Sequence, residues 1–96
     1  MVRRPRPSPD PNIAACAPDV PHLTDYDYTL FICYIRLLDA EKDGADWREV
    51  AKIVLKTDPD RNFAYAKHCY ETHLARAHWM TKHGYRHLLR EADDEW

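Results

Sequence analysis

Between Tyr26 and Ala40 the apolar positions are too dense for a helix with one wet side, since eleven of the fifteen residues are aliphatic, aromatic or cysteine. At about 100° per residue, Tyr26, Leu30, Cys33 and Leu37 share one face, Phe31 and Leu38 widen it, and Tyr28, Ile32 and Ile35 reach the far side. A helix patterned in this way needs cover on both flanks. It is either the centre of a bundle or a helix whose second flank docks a partner. Thr24 and Asp27 have capping-box spacing, with Asp25 and Asp27 at the positive helix end, and Gly44 supplies a stop; the predicted helix runs from Thr24 to about Lys42.

Asp46 as cap and Glu49 as its reciprocal partner open a second helix, whose apolar positions Trp47, Val50, Ala51 and Val54 follow helical spacing until Leu55. The polar stretch from Lys56 to Asn62, with Pro59 inside it, reads as a connection. A third helix is predicted over 62–83, with a core stripe of Phe63, Ala66, Tyr70, Leu74 and Ala77 and with Cys69, His73 and Met80 at one margin. Gly84 breaks it, and Tyr85 to Glu91 form a short fourth helix packing through Leu88 and Leu89. No strand-like alternation of useful length occurs. The fold class is therefore all-α, a small bundle of three main helices plus a short C-terminal helix. Six of the seven prolines lie in the first 21 residues, so residues 1–22 are expected to be a disordered or extended arm. The expected organisation is this arm, a domain over 23–90 and an acidic tail over 91–96.

A folding part of about 75 residues buries only about 60% of the surface of its unfolded chain, which leaves little core for an enclosed catalytic cleft. No Gly-rich phosphate loop, serine elbow or HExxH motif is present, and no enzymatic activity or cofactor is expected. The longest apolar run, Leu30 to Ile35, is six residues, far short of the roughly 20 of a membrane span. Prolines, not an apolar segment, follow Arg3, Arg4 and Arg6, so no secretory signal is read and the chain is expected in the cytoplasm. Cys16, Cys33 and Cys69 are odd in number and widely spaced, which suits free thiols.

The formal net charge of −2 hides a polarity along the chain. Residues 24–60 carry nine acids against five bases, whereas residues 61–90 carry six bases, five histidines and Glu71 as the one acid. His68, His73, His78 and His83 recur every five residues, about 140° per step, and so are spread around the third helix instead of converging on a metal. Cys69 and His73 stand at i,i+4 without a second close pair, and no metal site is expected. All six histidines protonated would carry the charge toward +4, so electrostatic binding is expected to respond to pH.

What remains is a recognition surface. The second helix, the connection and the basic third helix make a helix-turn-helix with an extended turn, since the usual turn is about 3–4 residues. Used on DNA, the third helix would bring Arg61, Asn62, Lys67 and His68 to bases and phosphates, with Arg76, Lys82 and Arg86 further along. Glu71 and the preceding acids oppose that use, and the basic residues can instead pair with acids of the first two helices. Trp79 points away from the predicted stripe, either to pack beside Tyr85 or to serve as an exposed anchor.

The runs Arg36-Leu-Leu-Asp-Ala-Glu-Lys-Asp-Gly-Ala-Asp-Trp47, Arg48-Glu-Val-Ala-Lys-Ile-Val-Leu55 and the stretch from His73 to Arg90 resemble a proteobacterial domain long catalogued as of unknown function. That family is understood as an extended-turn helix-turn-helix in regulators of the transfer of integrative and conjugative elements. The resemblance implies two opposed jobs. FseA-like activators use a basic copy on DNA, while QseM-like antiactivators use an acidic, free-standing copy to capture the activator's N-terminal domain. The short arm and the acidic 24–60 segment favour an antiactivator that binds an FseA-like transcriptional activator and, in addition, a LuxR-type quorum-sensing regulator. Its expected contacts are the leftover apolar positions Tyr28, Ile32 and Ile35, with Arg36 beside them and Trp79 as anchor. The alternative is a sequence-specific DNA-binding regulator that reads through the third helix.

Overall fold

The computed structural model describes residues 11–84, which are helical and irregular with no strand among them. The helices are α1 (Asp25–Thr29), α2 (Phe31–Lys42), α3 (Trp47–Ile53) and α4 (Phe63–Trp79), and α4 continues into a π-helical turn, Met80–Gly84. The predicted fourth helix and acidic tail, and the three arginines near the start of the chain, lie outside the described residues. No helix among the described residues is long and apolar enough to cross a membrane.

The predicted capping box forms. The Asp27 N–H donates to Thr24 Oγ1 at 3.2 Å, and the Thr24 N–H donates to Asp27 Oδ2 at 2.8 Å. The single first helix of the sequence reading, however, is interrupted at Leu30 (φ −92°, ψ 9°), although the Leu30 N–H still reaches the Tyr26 carbonyl at 2.9 Å. The interruption changes the phase between α1 and α2. Tyr28, expected on the free flank, is instead 1% exposed and part of the core. At the other end Gly44 adopts φ +75°, a conformation that side chains disfavour, and closes α2 by donating to the Glu41 carbonyl at 3.1 Å.

α2 is the centre of the bundle, packed by α1, α3 and α4. It contributes Cys33, Tyr34 and Leu37 to a core completed by Tyr28, Leu30, Val50, Leu55, Cys69, Ala77 and Met80. The predicted stripe of α4 is displaced. Ala66, Cys69, His73, Arg76, Ala77 and Met80 are buried, Tyr70 and Leu74 are half-buried, and Phe63 is exposed. At 100° per residue the buried line is turned by roughly 80° from the predicted one. The cause is a second layer that hydrophobic periodicity does not register.

That layer is the arm. Residues 11–22 have no regular secondary structure, as their prolines require, and they lie along α4 in the direction of its axis. Five hydrogen bonds fasten them. The Ala14 N–H donates to the Tyr26 hydroxyl at 2.9 Å, the Cys69 thiol to the Ala14 carbonyl at 3.5 Å, and the Ala17 N–H to Thr72 Oγ1 at 3.2 Å. Arg76 then donates through Nη1 to the Val20 carbonyl and through Nη2 to the His22 carbonyl, both at 2.7 Å.

Arg76 also forms the buried ion pair of the fold. Its Nε meets Asp27 Oδ1 at 3.0 Å and its Nη2 meets Asp27 Oδ2 at 2.7 Å, while Tyr34 donates to Oδ1 at 2.9 Å. Burial alone raises the Asp27 pKa. The hydrogen bonds from Arg76, the Thr24 N–H and Tyr34, with the guanidinium charge, outweigh it and hold the carboxyl below the usual range. Beside it runs a second chain of bonds. Tyr26 and His73 Nε2 are 2.6 Å apart, and His73 Nδ1 lies 2.7 Å from the Cys69 carbonyl. With Ala14 donating to the Tyr26 oxygen, these partners assign a neutral His73 that donates from Nδ1 and accepts at Nε2 from Tyr26. Burial lowers the pKa of His73 against the raising effects of the Cys69 carbonyl and Asp27, and burial lifts Tyr26 to about 12.

Two outcomes follow for stability. Arg76→Met leaves Asp27 buried without its cation and releases two arm carbonyls, and it is expected to cost about 3–5 kcal/mol in urea unfolding. His73 is held neutral in the fold, so the unfolded chain binds more protons as pH falls below about 6.5. Stability contributed by its neutral state is present above that value and is lost as pH falls toward the depressed folded pKa. Urea midpoints measured between pH 7 and 5 should fall in the native chain and fall less in His73→Gln.

Candidate nucleic-acid interface

α3 and α4 are joined by residues 54–62, a connection longer than an ordinary helix-turn-helix turn and held at each step. Asp46 caps α3 by accepting from the Arg48 N–H at 3.0 Å. After α3, Leu55 is buried and Lys56 takes a left-handed φ of 55°, which lets Thr57 return both its N–H and its hydroxyl to the Ala51 carbonyl at 3.1 Å. Asp58 then accepts from the Asp60 and Arg61 N–H groups at 3.1 and 3.3 Å, and Pro59 is buried beneath. Asn62 caps α4 by accepting from the Tyr65 N–H at 3.2 Å. The result is a fixed angle between the two helices without a glycine in the turn.

The first turns of α4 face water. Arg61, Asn62, Lys67 and His68 are all exposed, as predicted for a reading helix, and no acidic residue lies in its first turn. They do not form one line, because Lys67 and His68 diverge around the helix while Arg61 and Asn62 precede it. Glu71 stands on the same outward face one turn further on. Beyond it Arg76 is buried on Asp27, Nε2 of the exposed His78 lies 2.6 Å from Glu41 Oε1, and Lys82 is exposed. The expectation that Arg76 would approach phosphate is thereby corrected.

Two acids near the start of α4 are also engaged internally. Asp58 is turned to the backbone, and Asp60 pairs with Lys52 at 3.1 Å. Both members of that pair are exposed, and the carboxylate raises the Lys52 pKa. A shelf of aromatic rings joins α3 to α4 behind this surface. Trp47 meets Phe63 edge-on at 5.5 Å and Tyr70 at 5.8 Å. The Arg48 guanidinium sits 5.7 Å and the Lys67 ammonium 5.8 Å from the Phe63 ring centre, so cations flank a ring that is itself 47% exposed. Sequence spacing placed Phe63 in the core. It belongs to this shelf because α2, with the arm beside it, covers the deeply buried side of α4.

Of the predicted protein contacts, Ile32 is half-buried, Ile35 and Arg36 are exposed on α2, and Tyr28 is removed by burial. Trp79 is half-buried with the Arg76 guanidinium 3.9 Å from its ring centre; the fourth helix and Tyr85, its predicted packing partners, lie outside the described residues. Cys69 Sγ and His73 Nδ1 are 3.6 Å apart, and among the described residues no group of three metal-ligating side chains forms. The residues that sequence reasoning missed are Tyr26, Cys69, Thr72 and Arg76 as partners of the arm, with Asp27 and His73 bonded to Arg76 and Tyr26 behind them. Their only signal was a charged or polar type close to apolar positions.

Over residues 11–90 the sequence matches the family described as T6SS, transcription factor, DNA binding domain, the RovC DNA-binding domain. No curated protein and no solved structure matches it.

Because the Phe63 ring is half in water, Phe63→Ala is expected to cost about 1 kcal/mol, the worth of its aromatic contacts. Leu37→Ala, in the core of α2, should cost about 2–5 kcal/mol, and paired urea titrations separate the two.

Proposed function

Because the chain belongs to the RovC DNA-binding domain family, we propose that it is a DNA-binding transcriptional regulator whose α4 enters the major groove by its N-terminal half. The observation that carries this reading is the exposed cationic start of α4, where Arg61, Lys67 and His68 precede any acid on that helix. In helix-turn-helix docking the N-terminal residues of the second helix meet base edges while the first helix crosses the backbone. Lys67 and Arg61 suit phosphate oxygens. His68, with one donor and one acceptor when neutral, suits a base edge, and the amide nitrogen of Asn62 remains a donor once its oxygen has capped α4. Arg48 on α3 lies on the same side as the aromatic shelf and suits the backbone. No chemistry on a substrate is required.

This order reverses the one suggested by the earlier resemblance, in which capture of an FseA-like activator came first. The capture reading retains one favourable observation. Residues 24–60 carry nine acids against five bases, and Ile35 is 36% exposed beside Arg36. Under it, Ile32, Ile35 and Arg36 would engage the activator or a LuxR-type regulator.

A titration of the full chain against duplex DNA over a range of salt concentrations tests the DNA reading. Binding should weaken steeply with salt, and Arg61→Ala and Lys67→Ala should each flatten the slope of log K against log [salt] by about 0.9. Absence of binding at low salt, with capture of an activator's N-terminal domain that Ile32→Asp abolishes, would transfer the function to the second reading.

A further inference from the structure

We propose that the exposed ring of Phe63 reads thymine, meeting the 5-methyl group of that base in the major groove while Arg48 and Lys67 beside it take nearby phosphates. The inference rests on the DNA-binding reading and adds to it a base that the bound sequence must contain.

The position of the ring carries the argument. Asn62 caps α4, so Phe63 is the first residue of that helix, at the end that the second helix of a helix-turn-helix directs at base edges. Its ring is 47% exposed and belongs neither to the core nor to the partly buried residues packed against the core. Burial within this fold therefore does not account for an aromatic side chain there. The ring is nevertheless held in place. Trp47, the first residue of α3, meets it edge-on at 5.5 Å and is itself 5.8 Å from the Tyr70 ring. A ring braced from behind in this way presents a fixed apolar surface and loses little freedom on binding.

Charge selects the occupant. The Arg48 guanidinium, from α3, is 5.7 Å from the ring centre, and the Lys67 ammonium, one turn further along α4, is 5.8 Å from it. Among the described residues neither cation is in an ion pair with a carboxylate. An apolar spot framed by two cations from different helices suits an apolar group that is itself framed by anions. In the major groove that description fits thymine, whose methyl group lies between the phosphates of the two strands. The other base edges present hydrogen-bond donors and acceptors there, which a phenyl ring cannot pair.

The test begins with the duplex that the full chain enriches from a random pool. Each thymine of that duplex is replaced in turn by uracil, which lacks only the methyl group. Fluorescence anisotropy then gives the affinities of the native chain, Phe63→Ala and Phe63→Gln at several salt concentrations. At least one replacement should weaken the native chain about fourfold, the effect of exposing one buried methyl group, and should leave both variants unchanged. On the thymine duplex both variants should bind at least about fourfold more weakly than the native chain. Their salt slope should be undiminished, because the ring displaces no counterion, whereas a variant that had lost its fold would lose slope as well. Phe63→Gln keeps much of the bulk that Phe63→Ala removes, so a result shared by both does not come from a cavity. Replacements that leave the native chain unaffected, or that weaken the variants as much as the native chain, overturn the thymine contact while leaving the role of α4 intact. A native chain that enriches no duplex overturns both readings, whether or not Phe63 then serves a protein partner.

Discussion

The bidentate pair between Asp27 and Arg76 joins α1, α4 and the arm at one buried point. Asp27 is the third residue of α1 and closes its capping box, Arg76 lies late in α4, and the same guanidinium takes the carbonyls of Val20 and His22. Both side chains are almost wholly withdrawn from water, so each loses its hydration. The arrangement holds because the carboxylate receives further donors from Tyr34 and the Thr24 N–H and the guanidinium spends its remaining donors on the arm. Removal of either partner would leave a charge in the core, which is why the geometry tolerates little variation.

From that pair follows the division of α4 into a covered and a free half. The arm occupies the side of α4 that carries Cys69, Thr72 and Arg76, and α2 and α3 take the adjoining side. The first turns remain open to water, with Arg61, Lys67 and His68 available. The last turns are engaged through Arg76 and His78. A basic segment that looks uniform along the chain is therefore open to water in the first turns of α4, while Arg76 and His78 further along are engaged with acids of other helices.

The same division bears on the net charge. Asp27 is buried, Asp58 is directed at backbone N–H groups and Asp60 at Lys52, so three of the acids that would repel a phosphate backbone are held in local bonds. Of these, Asp27 and Asp60 are paired with cations, so their charges are locally offset. This is the physical ground on which a slightly acidic chain is compatible with membership in a DNA-binding family.

Local chemistry determined the helices. Caps at Thr24 and Asp46, the stop at Gly44, the doubly apolar α2 and the long connection before α4 are all written in neighbouring residues, because caps and periodicity act over one or two turns, whereas the Asn62 cap emerged only in the structure. The exposed positions of Arg61, Asn62, Lys67 and His68 were legible for the same reason. Tertiary structure alone decided which side of α4 is buried, that Tyr28 turns inward and that the arm is docked. Asp27 and Arg76 are 49 positions apart, and nothing within a few residues of either announces the other. A polar side chain satisfies its hydrogen bonds equally in water or in a complete buried network, so its residue type cannot tell the two apart. Only the folded chain, which supplies every partner at once, makes the interior the better place for it.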